Sequence, residues 1–405
     1  MDGGKLDKVK ATINKLVDHL TENDSLCILG FSDNIFPVLD TVPMTKKNKV
    51  LAKKNVGGLH PMSMTNLSGA ISAAMEKAVI SNKSKISRII LLTDGLPTVG
   101  VCDKDELINL ACHTNQGVSI STFGYGDDFD AELMASISKM GRGNNFYIKT
   151  DDECSKAFAL ELGGLLSLYG QNIKISLIPS GNMTFKEMLS EYKCDQKHGF
   201  RLLKPGKIEI LIDDIFVGEK KHCLLKLEIP KATEAVCART TKVCDIDVTY
   251  MDTEMQKEVT VVDNAAKIQY VKMDKVASEP NPEVQKQLAI IETVRLQKEA
   301  MEKADAGDYK QAKILLGKAV SFVTSNASVI PDSNSYIANL NNMTVNFNDH
   351  LSYTTKGTKM ARAFYTANTL NRVTSMDYVA SYGSSTQEKL LKSFNDSQEK
   401  DEDSK

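Results

Sequence analysis

The sequence predicts a doubly wound α/β domain at its amino-terminal end, then an antiparallel β domain, then a helical region. Three observations carry this. Up to about Tyr169, short apolar runs alternate with segments of helical periodicity. Residues 171–273 switch to a two-residue alternation with few helical stretches. From Pro280 the helical spacing returns.

In the first region, Leu6, Val9, Ile13, Leu16, Val17 and Leu20 recur at helical spacing. SLCILGFS is a β-rich run, as are ISRIILLT at 86–93 and VSISTFGYG at 118–126. Helical patterns lie between them, from Asn66 to Val79 and from Lys104 to Thr114. Ala131–Lys139, a short NNFYIKT strand and a helix from Asp152 to Leu168 complete the region. Apolar strands separated by helices call for a mainly parallel sheet covered on both faces.

The second region contains NIKISLIPS, GKIEILIDDIFVG, HCLLKLEIP, KVCDIDVTYMD and KEVTVV, which together suggest a sandwich-like domain. In the third, Val284, Leu288, Ile291 and Leu296 precede AMEKADAGDYKQAKILLGKAV. Two helices meeting at Ala306–Gly307–Asp308 form an antiparallel pair. The string AxxGDYxxA resembles one helical-hairpin repeat, but no second copy follows. Expected domains are therefore 1–169, 170–274 and a helical region over 280–380, with a charged, disordered tail over 384–405.

A length of 405 residues suits two or three domains, and 42% hydrophobic residues suffice for ordinary cores. A net charge of −2 offers no field to attract nucleic acid or an anionic membrane. No run approaches the 18 apolar residues of a membrane span, and no basic, then apolar, leader opens the chain. The eight cysteines form no CxxC pair and no zinc-ligand spacing, so free thiols in a reducing, cytoplasmic setting are expected. Cys27, inside LCILGF, reads as a small buried hydrophobe. Seven N-x-S/T sequons occur, without meaning for a cytoplasmic protein.

Two stretches carry the chemistry: MTNLSGAI at 64–71 and IILLTDGLPT at 89–98. With FSDN at 31–34 and FGYGDDFDAELMASISKMGRGNNFYI, they make the first region resemble the von Willebrand factor A domain over most of 1–169. The resemblance implies a metal-ion-dependent adhesion site at the carboxyl ends of the strands. Its ligands come from an Asp-x-Ser-x-Ser loop, a Thr in a second loop and an Asp in a third. Carried over, Thr65 is the hydroxyl ligand and Asp94 the carboxylate. Hard cations such as Mg²⁺ or Mn²⁺ suit such oxygen donors, and an open coordination position would accept an acidic side chain of a protein partner.

The Asp-x-Ser-x-Ser loop is absent from this sequence. MDGGKLDKVK aligns with the family's continuation of that motif into its first helix. The family's first strand, central in its sheet, precedes that point, so a start placed late, upstream residues missing, is the expectation. A slot between two strands, with unpaired backbone on both sides, would follow. Metal affinity is expected to be poor or absent for the chain as it stands, and to return if the first loop is restored.

The plainer alternatives are that Thr65 caps the helix from Asn66 and that Asp94 fills a turn before Gly95. Ser32 and Asp33 read as loop residues, Asp127, Asp128 and Asp130 as helix caps without the spacing of a calcium loop, and His60 as a surface residue. IEILIDDIFVGEKKHCLLKLEIP at 208–230 resembles a β segment of intracellular relatives, some of them RING-bearing ubiquitin ligases. This chain lacks the CxxC pairs of a RING.

The leading expectation is a protein–protein interaction module; a secreted or surface adhesion protein, or a ligase-like architecture without its RING, are the alternatives. Catalysis is not expected. Neither Gly124–Tyr125–Gly126 nor Gly141–Arg142–Gly143 opens a helix as GxGxxG, there is no GxxxxGK[ST] loop, and the six His residues are scattered.

Overall fold

The computed structural model describes residues 4–81, 86–112, 118–181, 183–190, 201–204, 207–231, 240–271, 280–330, 332–370 and 384–402. The chain divides into two compact units. The first comprises residues 1–167, 345–367 and 372–405, and the second 168–344 and 368–371.

Unit one begins with helix α1 (Gly4–His19), whose Val9, Leu16 and Val17 are buried as their spacing predicts. Strands β1 (Ser25–Phe31) and β2 (Ile35–Pro43) follow as an antiparallel hairpin. Gly30 is required there, because any Cβ would collide with the ring of Phe36, its cross-strand partner. After α2 (Lys46–Gly57), α3 (Leu67–Ser81) leads to β3 (Ser87–Thr93). Then come α4 (Lys104–Cys112), β4 (Val118–Tyr125), α5 (Ala131–Met140), β5 (Arg142–Ile148) and α6 (Asp151–Leu166).

Strands β3, β4 and β5 form a parallel sheet in that order. β4 lies in its middle, with every residue buried. The β1–β2 pair and the β3–β4–β5 sheet are separate, and no ladder joins β1 to β3 among the described residues. The same two helices cover both pieces. On one face Ile13 and Leu20 of α1 pack against a cluster with Ile90 and Leu92 and against another with Leu26 and Ile28. On the other, Leu67 and Ile71 of α3 share a core with Phe31, Ile89 and Leu91. Cys27 is consequently half-buried rather than buried, since its strand has a neighbour on one side only.

A buried polar group joins β3, β4, β5 and α6. The Arg88 guanidinium lies 3.3 Å from the Glu161 carboxylate, both side chains almost fully enclosed. Ser121 and Asn144 donate to that carboxylate at 2.6 and 2.8 Å. Removing one member of such a pair leaves a buried charge uncompensated.

Helices at 350–370 fall in the expected helical region, whereas the tail expected to be disordered over 384–405 is helical over Ser385–Glu402. Residues 350–370 comprise α10 (His350–Ser352), a π-helical turn (Tyr353–Gly357) and α11 (Thr358–Leu370), and Ser385–Glu402 is helix α12. Composition alone misread α12, because three residues anchor it to unit one. Gln387 donates to the Leu160 carbonyl at 2.9 Å, Leu390 joins the α1–α6 core, and Phe394 stacks on His19 with centroids 4.7 Å apart.

In unit two, β6 (Leu168–Pro179), β8 (Arg201–Lys204), β9 (Lys207–Phe216), β11 (Thr240–Asp252) and β12 (Lys257–Gln269) form an antiparallel sheet ordered β12-β11-β6-β9-β8. A second pair, β7 (Thr184–Met188) with β10 (Leu225–Glu228), brings Phe185, Met188 and Leu225 onto Leu177, Ile208 and Ile210. This is the sandwich-like layering that alternation predicts. Helices α7 (Pro282–Asp305) and α8 (Tyr309–Ser325) form the expected hairpin, turned by Gly307 at φ +82° and capped by Asp308. Helix α9 (Ser333–Asn346) follows. No described helix is long and apolar enough to cross a membrane.

Candidate functional site

Strands β1 and β3 point the same way, and the loops at their carboxyl ends are stitched together. The Asn66 N–H donates to the Ser32 carbonyl at 2.7 Å, and its side-chain amide to the Asp33 carbonyl at 3.1 Å. The Thr65 carbonyl accepts from Thr98 and Val99 N–H groups at 2.9 and 3.3 Å, while its own N–H donates to the Thr98 hydroxyl. Ser68 accepts from the Val101 N–H at 2.9 Å. Loops 32–34, 64–66 and 94–101 therefore form one face.

Both predicted site residues lie on it, and neighbours hold the plainer roles. Helix α3 is capped by Asn66, whose side-chain oxygen accepts from the Gly69 N–H at 2.9 Å, not by Thr65. The turn after β3 is closed by Thr93, whose hydroxyl bonds both ends of Gly95, not by Asp94. Thr65 and Asp94 are half-buried. The Thr65 hydroxyl lies 3.6 Å from where a Gly95 side chain would begin, so the second and third loops approach closely.

Lys5, which sequence reasoning did not single out, completes the face. Its ammonium is 3.9 Å from the Asp94 carboxylate and 5.8 Å from the centre of the Tyr125 ring. Gly126, at φ +77°, leaves room for it, since a Cβ there would sit 2.8 Å from that nitrogen. The Tyr125 hydroxyl donates to Asp151 at 2.5 Å, and burial together with that carboxylate pushes the phenol far up. Helical phase around GGKLDK held a signal for Lys5, but which loop it reaches is a tertiary fact.

The remaining candidates fall where their chemistry suggests. Ser32 is buried and donates to Asp33 at 2.6 Å, which with the Asn34 N–H holds the Asp33 carboxyl below its usual range. Asp130 caps α5 through the Leu133 N–H, while Asp127 instead accepts from the Tyr147 hydroxyl at 3.1 Å. His60 is exposed and bonds the Gly58 carbonyl. The six described cysteines are free thiols, and Cys194 and Cys237 lie outside the described residues. Burial pushes the Cys27 thiol up, and Cys154 to about 11.

Thr65 and Asp94 alone do not make up the oxygen set of the metal that the resemblance implies. Among the described residues no group of three or more His, Cys, Asp or Glu side chains converges. One hydroxyl and one carboxylate fall short of an octahedral shell, and a lysine ammonium already lies beside the carboxylate.

Residues 1–159 match the von Willebrand factor type A domain family. Over 340 residues the chain is 23% identical to the E3 ubiquitin-protein ligase WAV3 of Arabidopsis thaliana, covering 81% of this chain and 42% of that protein. It is 30% identical over 176 residues to inter-alpha-trypsin inhibitor heavy chain H6 of Homo sapiens, covering 41% of this chain and 13% of that one. The chain thus spans less than half the length of these relatives. Among solved structures, a von Willebrand factor type A protein from Catenulispora acidiphila aligns with TM-score 0.65 and 14% identity, over 83% of this chain and 77% of that one. At that identity the likeness speaks for the fold alone.

Proposed function

We propose that this chain is a non-catalytic protein-binding module, working in a reducing, cytoplasmic setting, whose contact surface is the face built by loops 32–34, 64–66 and 94–101. The observation that carries this is the stitching of the three loops, which presents Thr65, Asp94 and Lys5 on a rigid scaffold. Exposed Met64 and Leu96 on the same loops supply apolar contact area. Thr65 and Asp94 are the metal-ligand candidates. In this chain alone they bind Mg²⁺ or Mn²⁺ poorly, because the set is short of oxygens and Lys5 opposes a cation. An ion, together with a partner's acidic side chain, enters only where further oxygen donors complete the site.

The match over 81% of the chain favours a second reading, in which the module is the partner-binding portion of a ubiquitin-ligase-like architecture without its RING.

Photo-crosslinking groups placed at Leu96, and separately at exposed Ile314 of α8, test the binding face. Crosslinks to a discrete partner from Leu96, competed by unlabelled chain and absent from Ile314, are expected. Equal capture from both positions contradicts the assignment.

A further inference from the structure

Helix α2, KKNKVLAKKNVG, carries Lys46, Lys47, Lys49, Lys53 and Lys54 and no acidic residue. Its inner face is tied to unit one. Ala52 and Val56 are buried, Ala52 in a core with Val17, Leu39 and Met44. The Asn55 side chain donates to the Val38 carbonyl at 2.7 Å, and the Thr45 hydroxyl caps the first turn through the Asn48 N–H. Lys49 donates to the Asp18 carbonyl at 3.0 Å and Lys53 to the Asp18 carboxylate at 2.6 Å.

The outer face is bare. Lys46, Lys47, Val50, Leu51 and Lys54 recur at helical spacing and are all exposed, with 70% of Val50 open to solvent. Lys46, Lys47 and Lys54 make no ion pair with another described residue. Two features of this stripe oppose stability. Val50 is a β-branched residue in a helix that recovers little by burial. Lys46 and Lys47 stand in the first turn, where the helix macrodipole disfavours cations, with no carboxylate there to offset them. A net charge of −2 averages this concentration away. Surface charges act over only about 8 Å at physiological ionic strength, so the five lysines set the local field.

We propose that the outer stripe of α2 adsorbs to an anionic lipid bilayer, with Lys46, Lys47 and Lys54 at the headgroups and Val50 and Leu51 seated among them in the interfacial layer. Charge complementarity selects an anionic occupant. Shape selects a flat one. The stripe runs along the crest of a single helix, which has no apolar walls to hold a peptide, whereas a bilayer meets whatever side chains stand proud. A few lysines and two apolar side chains make a peripheral, reversible contact. The stripe is separate from the loop face and does not rest on the function proposed for that face.

Co-sedimentation of the full chain with vesicles of phosphatidylcholine containing about 30% phosphatidylserine tests this. Binding to these vesicles, and none to pure phosphatidylcholine, is expected. Lys46→Glu, Lys47→Glu and Lys54→Glu together should weaken partitioning at least about tenfold. Lys303→Glu, Lys310→Glu and Lys318→Glu, equally exposed and equal in total charge, should leave it within about twofold. Should the α2 variant fail to fold, salt decides for the natural chain: release on going from about 0.1 to about 0.5 M is expected. The chain has no tryptophan, so Leu51→Trp places a single indole on the stripe, and its emission should move to the blue on anionic vesicles. No binding, binding indifferent to the α2 lysines or to salt, or an unshifted indole on bound vesicles overturns the proposal. Preference for soluble polyglutamate over vesicles also overturns it, and assigns the stripe to an acidic protein partner.

Discussion

Strands β1 and β4 are similar apolar runs, SLCILGF and VSISTFGY, placed between the same kinds of helices, yet one is only partly buried and the other wholly buried. The difference lies in neighbours rather than composition. β4 has a strand on each side, so its backbone is paired on both edges and its side chains meet helices at full depth. Among the described residues β1 pairs with β2 alone, so its backbone is matched along one edge and its side chains are covered less completely. Burial in a sheet is a property of the assembled layer, and a strand paired along one edge keeps its side chains partly uncovered.

Substitutions can break or sharpen this contrast. The largest effects belong to the closed side. Glu161→Ala removes the partner of buried Arg88 and is expected to cost ~3–5 kcal/mol in urea unfolding. Phe123→Ala in β4, at a fully buried ring stacked on Phe146, is expected to cost a similar ~3–5 kcal/mol. Ile28→Ala in β1 should cost less, about 1–2 kcal/mol, since that side chain is only partly buried. If Ile28→Ala costs as much as Phe123→Ala, the two sides are equally closed.

Smaller effects test the caps and the face. Asn66→Ala should cost about 1 kcal/mol through loss of the α3 cap, whereas Thr65→Ala should be nearly neutral for stability. At Asp130, burial alone would push the carboxyl up, but the Leu133 N–H and the Lys104 ammonium outweigh it and hold the group below 3.8. A carboxyl lowered in the folded state adds stability above its unfolded value, and that stability is lost as the pH falls through the lowered one. Asp130→Asn should therefore flatten the acid limb of the stability curve below about pH 4. Millimolar Mg²⁺ should shift the melting temperature of the chain by less than about 1 °C. A shift of several degrees that Asp94→Ala abolishes would show that the donor set is complete.

Much of this was legible in the sequence, and the rest failed for identifiable reasons. The strands and helices of unit one carry strong periodic signals, so their order and the split sheet follow from residues 4–166 alone. Thr65 and Asp94 were legible as a pair of loop residues, and their meeting on one face is what the structure adds. Lys5 was not, because a lysine in a helix's first turn has many possible partners and tertiary placement chooses among them. The α12 helix was misread because a charged composition outweighed three anchoring residues, Gln387, Leu390 and Phe394, spaced at three and four. Cys27 was read as buried from its apolar neighbours in sequence, and the structure leaves it half-buried on a strand paired with β2.

Hydrogen exchange of the full chain, resolved to single amides, tests the open sheet most directly. The account predicts that Ile120–Phe123 of β4 exchange slowest, while β1 amides facing away from β2, and β3 amides facing away from β4, exchange orders of magnitude faster. Equal protection of both edges of β1 and β3, matching β4, would mean that the sheet is closed and would contradict the account.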